Sequence, residues 1–386
     1  MCWRLARQLA REYGVEVTLW VDDPAVVASF LRSTAPAGRE WQSEGVRLAC
    51  WSFTQRMAED DIALVLRSDL LIEAFACHLP EPVLEALGRQ ERIPCWINLE
   101  YLSAEAWVDE HHLLSSLLTL PGMQRLALPV QKTFFFPGFT SRTGGLLREA
   151  GLLERHEAWQ ADQSRERAAL LERLAPALVG SLLPETVFVS LFSYETASLQ
   201  SCLDAMARDS VPTLCLVPQG RSLFSAMKYL GSETAPQAGD IFQRGALTLL
   251  VIPFQTQDDY DHLLSLCDFN FVRGEDSFVR AQWAARPLLW HIYPQQGQTH
   301  LQKLEAFQSL QSAQLQSGSG PQKAASMALR QFEQFWNQGE DCRELWHHLR
   351  PQLPGLREQA RKWQQQLAEM PDLAANLLRF CRSKTR

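Results

Sequence analysis

Several things are missing from this 386-residue sequence, and each absence narrows its identity. No run of about 18 apolar residues occurs, so no transmembrane helix is expected. The first dozen residues form a charged helical pattern instead of an apolar signal-peptide core. Both absences point to a cytoplasmic protein with no membrane partner. Nine cysteines include no CxxC pair, and several lie in apolar runs such as Leu214-Cys215-Leu216-Val217. They read as reduced core residues, and no zinc site is expected. The patterns GxSxG, GxxxxGK(S/T), HExxH and GxGxxG are all absent. That removes nucleophile-elbow hydrolases, P-loop NTPases, zincins and fingerprint-bearing NAD enzymes. Positive charge is not in excess either: 37 Lys and Arg stand against 44 Asp and Glu, net −7. The pI near 5.8 gives no footprint for nucleic acid and suits a basic protein partner.

What remains is an ordinary globular composition, 46% hydrophobic and 21% charged, long enough for two α/β domains. Trp3, Leu5, Ala6, Leu9 and Ala10 fall on one helical face, with Arg4, Arg7, Arg11 and Glu12 expected on a solvated face. A strand, Val15–Val21, follows. A helix followed by a strand is the second half of a βαβ unit, and the strand that should precede it is not in the sequence. Further strands are expected at 46–51, 70–75, 93–99 and 125–129, with helical patterns near 24–33, 81–90 and 104–116. This alternation argues for a parallel sheet covered on both faces.

From 146 to about 178 the pattern becomes a long charged helix, read as an interdomain connection. A second alternation follows, with strands at 186–191, 213–217, 246–252, 269–272 and 287–291. Each ends in a polar or aromatic loop. Five such loops on one sheet edge make a nucleotide-binding crevice. Residues 311–325 read as a surface loop or linker, and the remainder as helices broken near Gly339, Pro351 and Pro371. The expected domains are 1–150, a linker at 151–180, 181–345, and a helical tail at 346–386. Two such halves describe a two-lobed architecture with a cleft.

The loop Arg273-Gly274-Glu275-Asp276-Ser277-Phe278 stands at one of these strand ends. A helix starting near Phe278, with Ser277 or Asp276 as N-cap, offers unpaired N–H groups to phosphate. An ordinary charged turn with a capped helix is the other reading. A nucleotide diphosphate needs cations or amides for phosphate, carboxylates for ribose and aromatic faces for the base. Arg273 and the Ser277 helix start match the first, Glu275 or Asp276 the second. Phe192, Tyr194, Phe254 and Tyr293 match the third, though each aromatic is equally readable as core. His291 at a strand end reads as structural. The pairs His111-His112 and His347-His348 read as surface residues without metal spacing.

Four motifs resemble those of the protein-arginine rhamnosyltransferases that modify bacterial elongation factor P. They are Arg273-Gly274-Glu275-Asp276-Ser277-Phe278-Val279-Arg280-Ala281-Gln282, Pro287-Leu288-Leu289-Trp290-His291-Ile292-Tyr293-Pro294-Gln295, Trp96-Ile97-Asn98-Leu99-Glu100-Tyr101-Leu102-Ser103, and Phe134-Phe135-Phe136-Pro137-Gly138-Phe139-Thr140. The resemblance implies two Rossmann-like lobes of the GT-B class. It implies inverting transfer of L-rhamnose from dTDP-β-L-rhamnose to one arginine of elongation factor P, without cofactor or metal. It also implies donor-site roles for Phe192, Tyr194, Phe254, Gln257, Arg273, Asp276, Ser277 and Tyr293, and a role in activity for Glu275. Acceptor contacts are expected around 96–103, where a buried strand with a polar turn is the competing reading.

Members of this family begin with a strand and an Asp-Asn-Phe-Gly-Asp-Ile-Gly-Val loop directly before Cys-Trp-Arg-Leu-Ala-Arg. This sequence begins Met1-Cys2-Trp3-Arg4-Leu5-Ala6-Arg7. The resemblance places the general-base aspartate in that loop. The expectation is a misassigned translation start, exposed strand edges in the first lobe, and a chain that binds donor but transfers rhamnose poorly. The alternatives are a non-catalytic nucleotide-sugar or partner-binding module and a glycosyltransferase with another acceptor.

Overall fold

The computed structural model describes residues 1–31, 40–51, 59–123, 129–231, 236–315 and 320–384. It falls into two compact units. The first comprises Met1–Ala28, Ser33–Ala150 and Glu369–Arg386, and the second Ser29–Arg32 and Gly151–Ala368. The expected strand at 125–129 lies almost wholly outside the described residues.

The chain opens with α1 (Cys2–Tyr13), β1 (Val17–Val21), α2 (Pro24–Leu31), β2 (Glu40–Ser43), β3 (Val46–Cys50) and α3 (Glu59–Arg67). It continues with β4 (Leu70–Ala74), α4 (Glu81–Gly88), β5 (Cys95–Leu99), α5 (Trp107–His111), β6 (Ser115–Leu118) and β7 (Val130–Phe135). Gly14 ends α1 at φ 63°, the left-handed turn that glycine adopts freely. The strands form two sheets, β1-β3-β2 and β4-β5-β7-β6. β1 and β4 each pair in parallel on one side only, so each leaves a ladder edge without a strand among the described residues. The two strands nonetheless contribute to the same cores. Val17, Leu70 and Ile72 pack against the cluster holding Leu5 and Leu9 of α1. Trp20 and Leu71 meet in the cluster on the other side.

Two sequence expectations fail in this unit. Arg4 and Arg7 are buried rather than solvated, because the equally buried Glu149 lies 3.6 Å and 3.7 Å from their guanidiniums. The helix expected over 104–116 shrinks to α5. Leu113 turns to φ 68° and sends the chain into β6, whose neighbour β7 runs antiparallel to it.

The second unit begins with α6 (Leu152–Ala161) and α7 (Gln163–Leu174), followed by β8 (Val187–Leu191), α8 (Ser198–Arg208), β9 (Thr213–Pro218) and α9 (Arg221–Leu230). Next come β10 (Ile241–Arg244), β11 (Leu247–Ile252), α10 (Gln257–Leu266), β12 (Phe269–Arg273), α11 (Asp276–Trp283) and β13 (Leu288–His291). Four helices follow: α12 (Thr299–Gln314), α13 (Gly320–Gln338), α14 (Arg343–Leu349) and α15 (Leu353–Ala368). The last helix, α16 (Leu373–Lys384), belongs to the first unit, where Leu373, Ala374 and Leu377 join the core of α1 and β5. The expected tail 346–386 is thus divided between the two units. α6 and α7, read from sequence as a linker, pack onto the second unit. Leu170, Leu171 and Leu174 close one face of its sheet, and Arg167 donates to the Leu266 carbonyl at 2.9 Å and 2.7 Å.

The sheet order is β10-β11-β9-β8-β12-β13, parallel except for the edge strand β10. The chain adds β9 and β11 on one side of β8, then crosses back to lay β12 and β13 on the other. The order therefore reverses between β8 and β12, the switch point at which open α/β sheets leave a crevice beyond their carboxyl ends. β12 shows why its sequence suits this central place. Phe269 and Phe271, two apart, face α13 and meet Phe332 and Trp336. Asn270 points the other way and is satisfied by Ser190 at 2.6 Å and the Leu264 carbonyl at 3.0 Å.

Candidate functional site

The residues at the switch point are set by the strands that carry them. β8 ends at Leu191 and projects Phe192 and Tyr194; β12 ends at Arg273; β13 ends at His291 and projects Tyr293. The Arg273 guanidinium lies 4.5 Å from the Phe192 ring and 4.9 Å from the Tyr194 ring. Both rings are half-buried, a setting in which cation–π attraction counts. Tyr194 meets Tyr293 edge-on at 5.5 Å and His291 at 5.3 Å. Phe192 meets Tyr260 of α10 at 5.7 Å. The result is a cation framed by aromatic faces, with an exposed Tyr293 at its side.

The turn after β12 is tight. Gly274 adopts φ 65°, and a Cβ there would stand 3.5 Å from the Tyr194 hydroxyl. α11 starts at Asp276, with Glu275 as N-cap and no side-chain capping bond. This corrects the sequence reading in which Ser277 or Asp276 capped a helix starting near Phe278. Ser277 instead folds back onto β12. Its hydroxyl accepts the Arg273 N–H at 3.2 Å and donates to the Arg273 carbonyl, which ties the arginine's backbone to the first turn of α11. A helix N-terminus leaves backbone amides unpaired, and this one begins three residues after Arg273, a combination that suits an anionic ligand.

Phe254 and Gln257 lie at the end of β11, two strands from β8 across β9 but on the same sheet edge. Phe254 is 43% exposed. Gln257 opens α10, whose N-cap Thr256 accepts the Asp259 N–H. Three residues later the same helix brings Tyr260 against Phe192. The hydroxyl of Tyr260 is held well above its ordinary range, chiefly by desolvation.

Behind these residues lies a layer of which the sequence reading had singled out only His291, as structural. Trp290 stacks on Phe278, rings 3.9 Å apart and 6° from parallel, and its indole N–H donates to the Gly274 carbonyl at 2.8 Å. His291 is held at about 4 by burial, with Arg273 and His300 adding repulsion, so it stays neutral behind Tyr194. Glu333, inside α13, is raised to about 7 by burial. Its signal in the sequence was a carboxylate between Phe332 and Trp336, on a face otherwise marked for the core.

In the first unit, the segment expected to meet an acceptor is partly structural. Trp96 donates to Glu73 at 3.1 Å and Lys132 pairs with the same carboxylate at 2.7 Å. Asn98 donates to Glu100 at 2.5 Å, and Ser103 to Glu105 at 2.8 Å. Tyr101 is 50% exposed and lies 5.0 Å from Phe75. His112 is not a free surface residue: its Nδ1 accepts the Phe136 N–H at 3.1 Å, and burial lowers it to about 4. Among the described residues, no group of three or more His, Cys, Asp or Glu could hold a metal ion, and no helix is long and apolar enough to cross a membrane.

Comparison with known proteins gives one consistent answer. Residues 1–382 match the family of the elongation factor P (EF-P) rhamnosyltransferase EarP. The protein-arginine rhamnosyltransferase of Pseudomonas aeruginosa is 44% identical over 98% of this chain and 93% of its own length. That of Shewanella oneidensis is 38% identical over 98% and 92%. A solved structure on the structural basis for EarP-mediated arginine glycosylation of translation elongation factor EF-P superimposes with a TM-score of 0.64. It is 34% identical and covers 99% of this chain and 93% of that one. The chain therefore belongs to the EarP family of EF-P rhamnosyltransferases, which are protein-arginine glycosyltransferases.

Proposed function

We propose that this enzyme moves L-rhamnose from dTDP-β-L-rhamnose to an arginine of elongation factor P in the cytoplasm, inverting the anomeric carbon, with a GT-B arrangement of its two units. The second unit holds the donor. The observation that carries this is the Arg273 guanidinium between Phe192 and Tyr194, at the β8/β12 switch point beside the first turn of α11. A nucleoside diphosphate calls for that combination: fixed positive charge for the phosphates and flat apolar faces for the base and sugar.

The roles combine what the family resemblance implies with the chemistry of the site. Arg273, Ser277 and the α11 amides take the diphosphate. Asp276 meets hydroxyls, and Phe192, Tyr194, Phe254, Gln257 and Tyr293 surround the nucleotide. The acceptor guanidinium has a pKa above about 12, so a carboxylate must orient it and accept its proton. Its nitrogen attacks the anomeric carbon from the face opposite the diphosphate. The C–O bond to phosphate breaks, and dTDP leaves against Arg273 and the helix start. Glu275, at the α11 N-cap, is the residue of this loop assigned to activity.

The test is to incubate the chain with dTDP-β-L-rhamnose and elongation factor P and record the acceptor's intact mass. A gain of one deoxyhexose on an arginine, even at a low rate, is expected. Tight dTDP binding with no mass gain identifies a binding module instead, and neither outcome with dTDP but turnover of another nucleotide sugar identifies a different donor.

A further inference from the structure

We propose that Glu333 is a positioning residue for the donor loop, acting through Trp290. The proposal rests on the donor-site reading above and extends it to α13. Among the described residues β13 is the last strand of its sheet, with no strand on its outer side. α13 supplies the missing partners from two side chains one turn apart. Glu333 accepts the Trp290 N–H at 2.7 Å, and Asn337 donates to the Trp290 carbonyl at 2.9 Å and accepts the Ile292 N–H at 3.0 Å. A carboxylate and an amide at i and i+4 thus stand in for a neighbouring strand.

Glu333 is 4% exposed, and its second oxygen accepts Gln308 of α12 at 2.6 Å. Burying a carboxylate is costly, and a hydrophobic residue here would leave the Trp290 N–H and the Gln308 amide without their acceptor. What the carboxylate adds is a fixed backbone at Trp290. From there the indole N–H reaches the turn that follows the neighbouring β12 and holds the Gly274 carbonyl, between Arg273 and Glu275. Gly274 has no side chain, and the Trp290 indole bond holds the carbonyl of its peptide. Moving that peptide moves the Arg273 backbone on one side and the first amides of α11 on the other. Glu333 thereby sets where both anion-binding groups point.

The experiment compares the whole enzyme with W290F, E333A and E333Q. The readouts are hydrogen exchange at residues 273–277, dTDP affinity, and the donor and acceptor KM. Trp290→Phe keeps an aromatic ring against Phe278 but removes the indole N–H with part of the buried ring system, so its stability is measured alongside by urea denaturation and Glu333→Gln serves as the volume-conserving control. Trp290→Phe is expected to raise exchange at 273–277, with or without nucleotide, and to weaken dTDP binding roughly fivefold, the size of one lost hydrogen bond. The donor KM should rise while the acceptor KM stays unchanged. Glu333→Ala should reproduce this pattern, and Glu333→Gln, which keeps an acceptor for the Trp290 N–H, should largely rescue it. Wild-type exchange at 273–277 together with wild-type dTDP affinity in W290F and E333A would overturn the proposal. If the unaltered enzyme does not bind dTDP, the donor-site reading falls, and exchange at 273–277 still decides the relay.

Discussion

Arg273→Gln separates the electrostatic role of the site from its packing. Glutamine keeps a polar side chain of similar reach and removes the charge. A charge-assisted hydrogen bond is worth about 1.5–3 kcal/mol, so losing the one to the diphosphate should raise the dTDP dissociation constant about 10- to 150-fold. The fold should lose less. The two ring contacts at 4.5 Å and 4.9 Å are half-exposed and worth about 0.5–1 kcal/mol each. A second readout comes from His291, whose low value of about 4 owes most to burial and next to Arg273. Without the guanidinium, less positive charge opposes protonation, so the His291 value must rise. Calorimetry with dTDP gives the first number, and an NMR titration of the histidine ring gives the second. A variant that binds dTDP within twofold of the parent, with His291 unmoved, would refute both the ligand assignment and the electrostatic picture.

Three further outcomes are expected. Glu149→Ala removes the carboxylate shared by the buried Arg4 and Arg7 and should cost about 3 kcal/mol in urea denaturation. Glu333 has its folded value raised from 4.5 to about 7, so between those values the folded state binds more protons than the unfolded one. Stability from this group therefore falls as pH rises across that window, by about 3 kcal/mol at 1.36 kcal/mol per unit. The stability difference between Glu333→Gln and the parent should accordingly grow in the variant's favour from pH 5 to pH 8. Gly274→Ala meets only ordinary contact at the Tyr194 hydroxyl, so it should cost about 1–2 kcal/mol of left-handed backbone strain, while Gly245→Ala, whose Cβ would lie 2.1 Å from the Ala207 carbonyl, should cost clearly more by the same denaturation measurement.

The second unit was readable because its parallel strands are continuous apolar runs, each ending in a turn. Leu249, Leu250, Val251 and Ile252 are wholly buried, and such a run announces a strand covered on both faces. Three short edge strands were not readable. Glu40–Ser43, Ser115–Leu118 and Ile241–Arg244 are four residues each, exposed on alternate positions or more, and short mixed runs carry little periodic signal. α16 announced an apolar face, but amphipathicity does not say which core the face joins. Nor could the sequence show that Arg4 and Arg7 turn inward, because Glu149 lies 142 residues or more away along the chain. At the site, Arg273, Phe192, Tyr194 and Tyr293 were found from strand ends alone. Trp290, Tyr260 and Glu333 escaped because their contribution is a contact with the loop and not a residue type in it.

The donor site is the centre of this account, and a crystal structure of the chain with dTDP tests it most directly. The account predicts the diphosphate against the Arg273 guanidinium and the amides of the first turn of α11, with the nucleotide flanked by Phe192 and Tyr194. Nucleotide bound at any other edge of the second unit, or a diphosphate that leaves Arg273 untouched, would contradict it.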